Sequence, residues 1–393
     1  MKTKIFFFLS MMTVGSALGW GQTWDLSATM KGVLDNNVLT ISTTLEAEAM
    51  PEFEWNVPTW HDYNRNDIHE IVIEDGVTSI SSWAFSHLAF LTSVTMANTV
   101  TIIESYGFYN CYTLPMITIS ENVTTLEHAA FKLCESLTEI EIPASVSFIG
   151  GEMFVLCGQL EAIRVHADNS DFSSADGVLY DKDKTTLLIY PEGKKDATFE
   201  IPGTVHTIGD AAFYQSKFES ITIPNSVTDI ISLAFGACTQ LTAITIPYSV
   251  TYIGQYAFAD CTGLTEVTVE WESPLSVPDD IFQGVNTSDA TLWVPTGRTI
   301  AYQEDEVWKA FGTIEEYEFS GNETIALPAL KAYAANGVLH ITGLTPGRPL
   351  SVYNISGQLI YQGIAKADEE HIPITGRGVC IVVAGSQHVK VIQ

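Results

Sequence analysis

The sequence predicts a solenoid, in which short strands stack into a parallel β-sheet with short helical turns at a spacing of about 23 residues, followed by a small β-sandwich. Three observations predict this. Phenylalanine recurs at Phe85, Phe108, Phe131 and Phe154, then at Phe213, Phe235, Phe258 and weakly Phe282, mostly in steps of 23 residues. The surrounding residues repeat too: "ITIPNSVTDIISLAFGACTQLTAI" runs directly into "ITIPYSVTYIGQYAFADCTGLTEV". After about residue 320 the period is lost, and alternating apolar runs divided by Gly-rich turns take over.

The N-terminal "MKTKIFFFLSMMTVGSALGWGQ" has two lysines, an apolar run from Ile5 and small residues up to Gly21. This is the pattern of a secretory signal peptide over residues 1–21, with cleavage before Gln22 and cuts after Ala17 or Gly19 as alternatives. No other apolar run reaches the roughly 18 residues of a membrane-spanning helix. The expected product is an exported, soluble protein. Residues 22–67 read as an N-terminal β cap containing a hairpin around Asp35-Asn36-Asn37.

The repeats occupy residues 68–317. Within each, Leu241, Ile244 and Ile246 of "LTAITIP" alternate in the manner of a strand with one buried face, closed by a proline that cannot continue the ladder. Ile253, Ala257, Phe258 and Cys261 follow at i, i+4, i+5 and i+8, one stripe of a short helical turn. A lone unit cannot bury both stripes, whereas stacked units can. Residues 164–198 interrupt the period, and "GVLYDKDKTTLLIYP" within them reads as a hairpin turning at Lys182-Asp183-Lys184. The acids of "DNSDFSSADG" lack the alternate ligand spacing and distal Glu of a calcium loop and read as solvated residues. From residue 267 the terminal repeat drifts, as a cap with a polar outer face must. Residues 325–393 form the predicted β-sandwich.

Chemistry is sparse. Cys111, Cys134, Cys157, Cys238 and Cys261 each follow a repeat Phe by three residues, so they read as a column of small buried thiols rather than a disulfide framework. No nucleophile elbow, zinc-helix motif, Cys-x-x-Cys pair or phosphate loop is present. "HDYNRNDIHE" places His61, Asp62, Asp67, His69 and Glu70 close in sequence, but in turn-like surroundings at the cap edge that suit a solvated loop. No cofactor, metal or catalytic residue is expected. The 18 Lys and Arg against 47 Asp and Glu give a net charge of −29, which repels nucleic acid and anionic membranes.

The outward positions of the strands define a candidate binding face. Its central column runs Thr95, Thr118, Glu141, Arg164, Thr222, Thr245 and Thr268, beginning at Val72, and a neighbouring column contributes Met116 and Glu139. The face is a threonine ladder with an acidic patch at Glu139 and Glu141 beside Arg164. Threonine favours strands whatever the function, so the ladder also has a purely structural reading. A second candidate surface is the column of Trp83, Tyr106 and Tyr256, two residues before the repeat Phe.

The phrase "IPNSVTDIISLAFGACTQLTAI" resembles the BspA-like branch of leucine-rich repeats, over roughly residues 68–317. "VYNISGQLIYQG" and "GRGVCIVVAGSQHVKVI" resemble the C-terminal sorting domains of type IX secretion, with Cys380 where that pattern more often has an aromatic. The resemblances imply a non-enzymatic, adhesin-like leucine-rich repeat protein that is secreted or held at the outer cell surface. It would bind a host or extracellular-matrix protein, another cell surface, or glycans. The alternative is an envelope or coat component without a specific ligand; a glycan-acting enzyme is the third reading.

Overall fold

In a computed structural model, the described residues are 21–53, 60, 65–317, 331–335, 338–344, 349–354, 359–374, 379–384 and 387–392. The expected signal peptide lies outside them, apart from Gly21, as do His61 and Asp62. The chain divides into two units, Met1–Glu316 and Tyr317–Gln393.

The first unit opens with an antiparallel meander, Gln22–Asp25, Met30–Asp35 and Val38–Thr43, turning through Asn36 and Asn37 at φ 46° and 69°. Asparagine tolerates these left-handed values, which a two-residue hairpin of this kind demands. Val38–Thr43 then pairs in parallel with Glu70–Ile73, and Glu70–Ile73 with Ser93–Met96, so the meander seeds the coil. Further parallel rungs join Glu139–Ile142 to Ala162–Val165, and link Thr198–Glu200, Ser220–Thr222, Ala243–Ile246, Glu266–Val269 and Thr291–Pro295 in succession. Strand alternation buries Ile140 and Ile142 while Glu139 and Glu141 face out. A second parallel ladder of mostly two-residue strands connects Val77–Ile80, Ile102–Ile103, Thr125–Leu126 and Phe148–Ile149, and another connects Thr186–Ile189 through Thr207–Ile208 and Asp229–Ile230 to Tyr252–Ile253.

The stripe read as a helical turn is a run of hydrogen-bonded turns that forms a third ladder. Residues two before and two after the repeat Phe take positive φ: Trp83 (64°) and His87 (57°) around Phe85, Leu233 and Ala237 (both 56°) around Phe235. This handedness points alternate amides along the stack. Trp83, Phe85 and His87 donate their N–H groups to the carbonyls of Ser105, Gly107 and Tyr109 at 3.2, 2.9 and 2.7 Å. A regular helix would spend those donors on its own carbonyls. Left-handed backbone costs a non-glycine residue roughly 1–2 kcal/mol, and the inter-rung bonds, about 1 kcal/mol each, offset it.

The repeat phenylalanines stack face to face inside the coil. Phe85, Phe108, Phe131 and Phe154 follow at centroid distances of 5.4, 5.6 and 5.9 Å, and Phe213, Phe235, Phe258 and Phe282 at 5.1, 5.3 and 5.6 Å. Buried Trp60 stacks on Phe85 and donates its indole N–H to the Ala84 carbonyl, while buried Trp308 and Phe311 pack edge-on against Phe282 at the other end. Cys111, Cys134, Cys157, Cys238 and Cys261 run beside this spine as free buried thiols, each donating to the carbonyl of the repeat Phe one rung earlier; Cys134 Sγ lies 3.2 Å from Phe108 O and Cys261 Sγ 3.0 Å from Phe235 O. Burial pushes the Cys134 thiol up to about 12, so it stays protonated and unreactive.

The interruption in the period is an antiparallel meander, Phe172–Ala175, Val178–Asp181 and Thr186–Ile189, whose last strand begins the ladder that runs on to Tyr252–Ile253. Asn169, wholly buried, ties its start to the preceding rung: its amide nitrogen donates to the carbonyls of Pro143 and Val146, and its amide oxygen accepts from the N–H groups of Asp171 and Phe172. The asparagine amide is thus fully hydrogen-bonded by protein. The strand Val178–Asp181 divides the interior: Leu179 belongs to the core on the Phe85–Phe154 side, Val178 and Tyr180 to the core on the Phe213–Phe282 side.

The second unit is a small sandwich of a three-stranded antiparallel sheet, Lys331–Ala335, Val338–Thr342 and Glu369–Pro373, and a four-stranded one, Leu359–Ile364, Pro349–Asn354, Val379–Ala384 and Gln387–Ile392. Leu339, Ile341 and Ile372 of the first meet Leu350, Val352, Val382 and Val391 of the second in one core.

Removing one ring from the spine leaves a cavity between two flanking rungs that cannot close. Phe131→Ala should therefore lower stability by about 3–5 kcal/mol. Chemical denaturation of the pure variant beside the parent protein would measure the loss, and a change under 1 kcal/mol would contradict a stacked spine.

Candidate functional site

The outward face of the first sheet is interrupted at residues 114–120, which form no strand although they occupy a rung position. Pro115 stands where Thr92 and Thr138 stand in the neighbouring rungs; without an N–H it cannot donate to the rung before it. Its carbonyl still accepts from the Thr138 N–H at 3.1 Å, so the next rung is held while the previous link is lost. Ile117 and Ile119 remain buried and keep the segment in place.

At this break lies a groove of about 510 Å³, lined among others by Met116, Thr118, Glu121, Glu139, Glu141 and Arg164, with Ala144 and His166 at its margin. Met116 is 60% exposed, an unusual setting for a thioether. Arg164 lies across from Glu141 in the strand register but bonds Glu139, its Nη2 3.0 Å and its Nε 3.3 Å from Oε2. Both partners are more than half exposed, so this ion pair adds little stability. Glu121 and Glu141 have no ion-pair partner among the described residues, which leaves the groove with an excess of negative charge around an apolar floor.

The structure therefore brings together five of the residues expected from sequence: Met116, Thr118, Glu139, Glu141 and Arg164. Thr95, exposed on Ser93–Met96, sits on the far side of the break. Thr222, Thr245 and Thr268 face each other across consecutive rungs, but in a different sheet from Arg164. That column continues to Glu200 at one end and Trp293 at the other, and the first column begins at Thr40 before Val72. Sequence reasoning missed Glu121, Ala144 and His166; the signal that could have found them is Pro115, which breaks the threonine pattern and opens the space they line. The threonines that begin the strands do structural work: Thr92, Thr242 and Thr265 each donate their hydroxyl to a carbonyl of the rung before. In the second candidate surface, Trp83 and Tyr106 stack on each other at 4.1 Å and are half-buried, so they serve the rungs; Tyr256 is 38% exposed. His69 packs near Phe90.

A second cleft, of about 30 Å³, lies where the inserted meander meets the repeats and is lined by Glu152, Glu192 and Asp210. That volume is far below the several hundred Å³ of a small-molecule pocket. Burial raises the Glu192 carboxyl above its ordinary range, with Glu135 pushing the same way and Lys217 opposing, and its Oε2 is buried without a hydrogen-bond partner. Burial likewise raises Asp210, helped by Glu152 and opposed by His128.

A coil of short parallel rungs, with an aromatic spine inside and an open sheet face carrying a groove, defines a leucine-rich repeat solenoid. The description "BspA type Leucine rich repeat region" matches six copies over residues 62–175 and 193–296. Similar solved structures include a leucine-rich repeat protein from Eubacterium ventriosum, 31% identical over 70% of this chain and 78% of that one, with a TM-score of 0.59. The pneumococcal vaccine antigen PcpA is 18% identical over 77% of this chain and 100% of that one (TM-score 0.45). A leucine rich cell surface protein of Faecalibacterium prausnitzii is 20% identical over 75% of this chain and 95% of that one (TM-score 0.40). Comparison with curated proteins gives no match. The chain belongs to the BspA-type leucine-rich repeat family. Its residues 319–393 match a domain of unknown function, DUF6383, rather than a sorting-domain family.

The raised carboxyl of Glu192 has a definite consequence for stability. A folded-state value above the unfolded one, ordinarily near 4.5, stabilises the fold below that range and loses its effect as pH rises through the raised value. Charged Glu192 is therefore a burden near neutral pH. Glu192→Gln should raise Tm at about pH 7, with the gain shrinking as the pH approaches 4. Thermal scans across that interval would test it, and an unchanged or lower Tm at neutral pH would refute the assignment.

Proposed function

We propose that this is an exported, non-enzymatic, adhesin-like protein that holds a host or extracellular-matrix protein, or a protein of another cell surface, on its open sheet face. The observation that carries the proposal is the groove at the break in the sheet. It combines exposed Met116 with the carboxylates of Glu121, Glu139 and Glu141 and a single guanidinium, Arg164. An apolar floor with excess negative charge suits a polypeptide segment that presents lysine or arginine beside an apolar side chain. A net charge of −29 draws such a partner in and repels acidic ones. Glycans, whose recognition commonly uses stacked aromatic faces, fit this groove less well, since none of its lining residues except His166 carries an aromatic ring. The columns Thr222–Thr245–Thr268 and Thr95 extend the contact surface beyond the groove.

In the same reading, the C-terminal unit directs passage to the cell surface. Its separate core, independent of the repeats, supports this role. Deleting residues 319–393 should leave the repeats folded and trap the protein inside the cell; fractionation of the producing bacterium checks this, and unchanged export would remove the sorting role.

Binding itself is tested with purified protein on a panel of immobilised matrix proteins and glycans, beside Glu139→Lys/Glu141→Lys. The parent should bind a basic matrix protein saturably and more weakly as salt rises. The double reversal should weaken it by about tenfold or more, which corresponds to at least ~1.4 kcal/mol. Equal binding by both proteins would move the site off the groove, and no saturable binding to any surface would favour an envelope component.

A further inference from the structure

We infer that the C-terminal unit carries a divalent transition-metal site formed by His340, Glu369 and His371, with Zn²⁺ the cation its donors suit best. The strands Val338–Thr342 and Glu369–Pro373 pair antiparallel, with His340 directly opposite His371 and Thr342 opposite Glu369. Alternation along a strand sends Glu369 and His371 to the same face, where His340 meets them from across the ladder. The ligating atoms of the three side chains lie within 4.8 Å of one another. Nε2 of His371 is 3.7 Å from Oε1 of Glu369. Donors about 2.1 Å from a tetrahedral ion stand roughly 3.4 Å apart, so a small rotation of each side chain closes the site.

Without an ion, no hydrogen bond joins the three side chains. The imidazoles of His340 and His371 meet edge to face at 4.7 Å, and the carboxylate is beyond hydrogen-bond distance of the ring it faces. One cation would join all three. Tyr333 stacks on His340 at 4.7 Å with 7° between planes, fixing the ring orientation before any metal arrives. Two imidazole nitrogens disfavour calcium and magnesium, which take oxygen ligands, and with one carboxylate they match zinc and its neighbours. Glu369 and His371 are about half exposed, which lets an ion enter without local unfolding. Three protein ligands also leave at least one coordination position for water or for a donor from another molecule.

The experiment titrates the full chain, stripped of metal by chelation and dialysis, with zinc chloride in a calorimeter. One saturable site per chain is expected. His340→Ala and His371→Ala should each weaken it by about tenfold or more, and the two together should abolish it. Glu369→Gln keeps the side-chain shape and should also weaken binding, while His206→Ala, an exposed histidine in the repeats, should leave it unchanged. Copper(II) bound to the parent should show electron-spin couplings to two imidazole nitrogens, and one fewer in His371→Ala. Because these side chains are largely at the surface, circular dichroism of the variants should match the parent. No stoichiometric site, or one that survives the double histidine change, would overturn the assignment.

Discussion

Every rung of this protein is too small to bury its own apolar residues, and the fold follows from that constraint. A segment of some twenty residues closes one turn of coil and leaves its phenylalanine ring exposed above and below. Only the ring of the next rung can cover it, at the 5.1–5.9 Å separations of the spine. The three ladders then fall into register, because a rung placed to stack its ring also places its strand amides, its two-residue bridge and its left-handed turns opposite their acceptors. The two ends have no further rung, and the tryptophans meet that need: Trp60 closes one end and Trp308 the other.

Since the inside is set by stacking, the outside is left open to variation. Positions facing out on the strands affect neither the spine nor the ladders, so threonine, glutamate, methionine and arginine succeed one another there without disturbing the coil. The groove arises differently. Pro115 removes one donor from the ladder between Ser93–Met96 and Glu139–Ile142, and buried Ile117 and Ile119 prevent the rung from leaving. A local loss of hydrogen bonding, contained by packing above and below, creates a concavity on a face that would otherwise be flat. Proline at the edge of a strand is usually a terminator, and here it shapes a surface.

Much of the fold was legible because the repeat imposes it on the sequence. The spacing of Phe and Cys located the spine, and the alternation in "LTEIEIP" told inward from outward residues. The third ladder was less legible: Ile253, Ala257, Phe258 and Cys261 fit a helical stripe, because periodicity records which side chains are buried and says nothing of backbone handedness. Only the positive φ of residues such as Tyr256 and Asp260 separates turns from helix. The site was half legible. Glu139, Glu141, Arg164 and Thr118 lie in outward columns that alternation reveals, whereas Glu121, Ala144 and His166 come from turns and strand ends, where no period applies. The His340, Glu369 and His371 cluster was invisible for a further reason: its members come from two strands whose pairing depends on the register of a sandwich with no repeat to reveal it.

The strand Val178–Asp181 ties these levels together. Two neighbouring positions on it, Val178 and Leu179, point into different cores, so the two spines share a single structural wall instead of forming one unbroken stack. In a repeat protein, stability passes between neighbours through their common interface, and here that interface is an inserted meander, with Phe172, Leu179, Leu188 and Ile189 against the first core, rather than a full rung. The buried, unpaired carboxylate oxygen of Glu192 lies at this same junction, a polar cost that a continuous repeat would not carry. Asn169 compensates by fastening the meander to the rung of Pro143 and Val146, immediately beneath the groove. The discontinuity in the coil therefore falls next to the surface proposed to bind, and the most heavily hydrogen-bonded buried side chain of the insertion fastens to Pro143, which lines that surface.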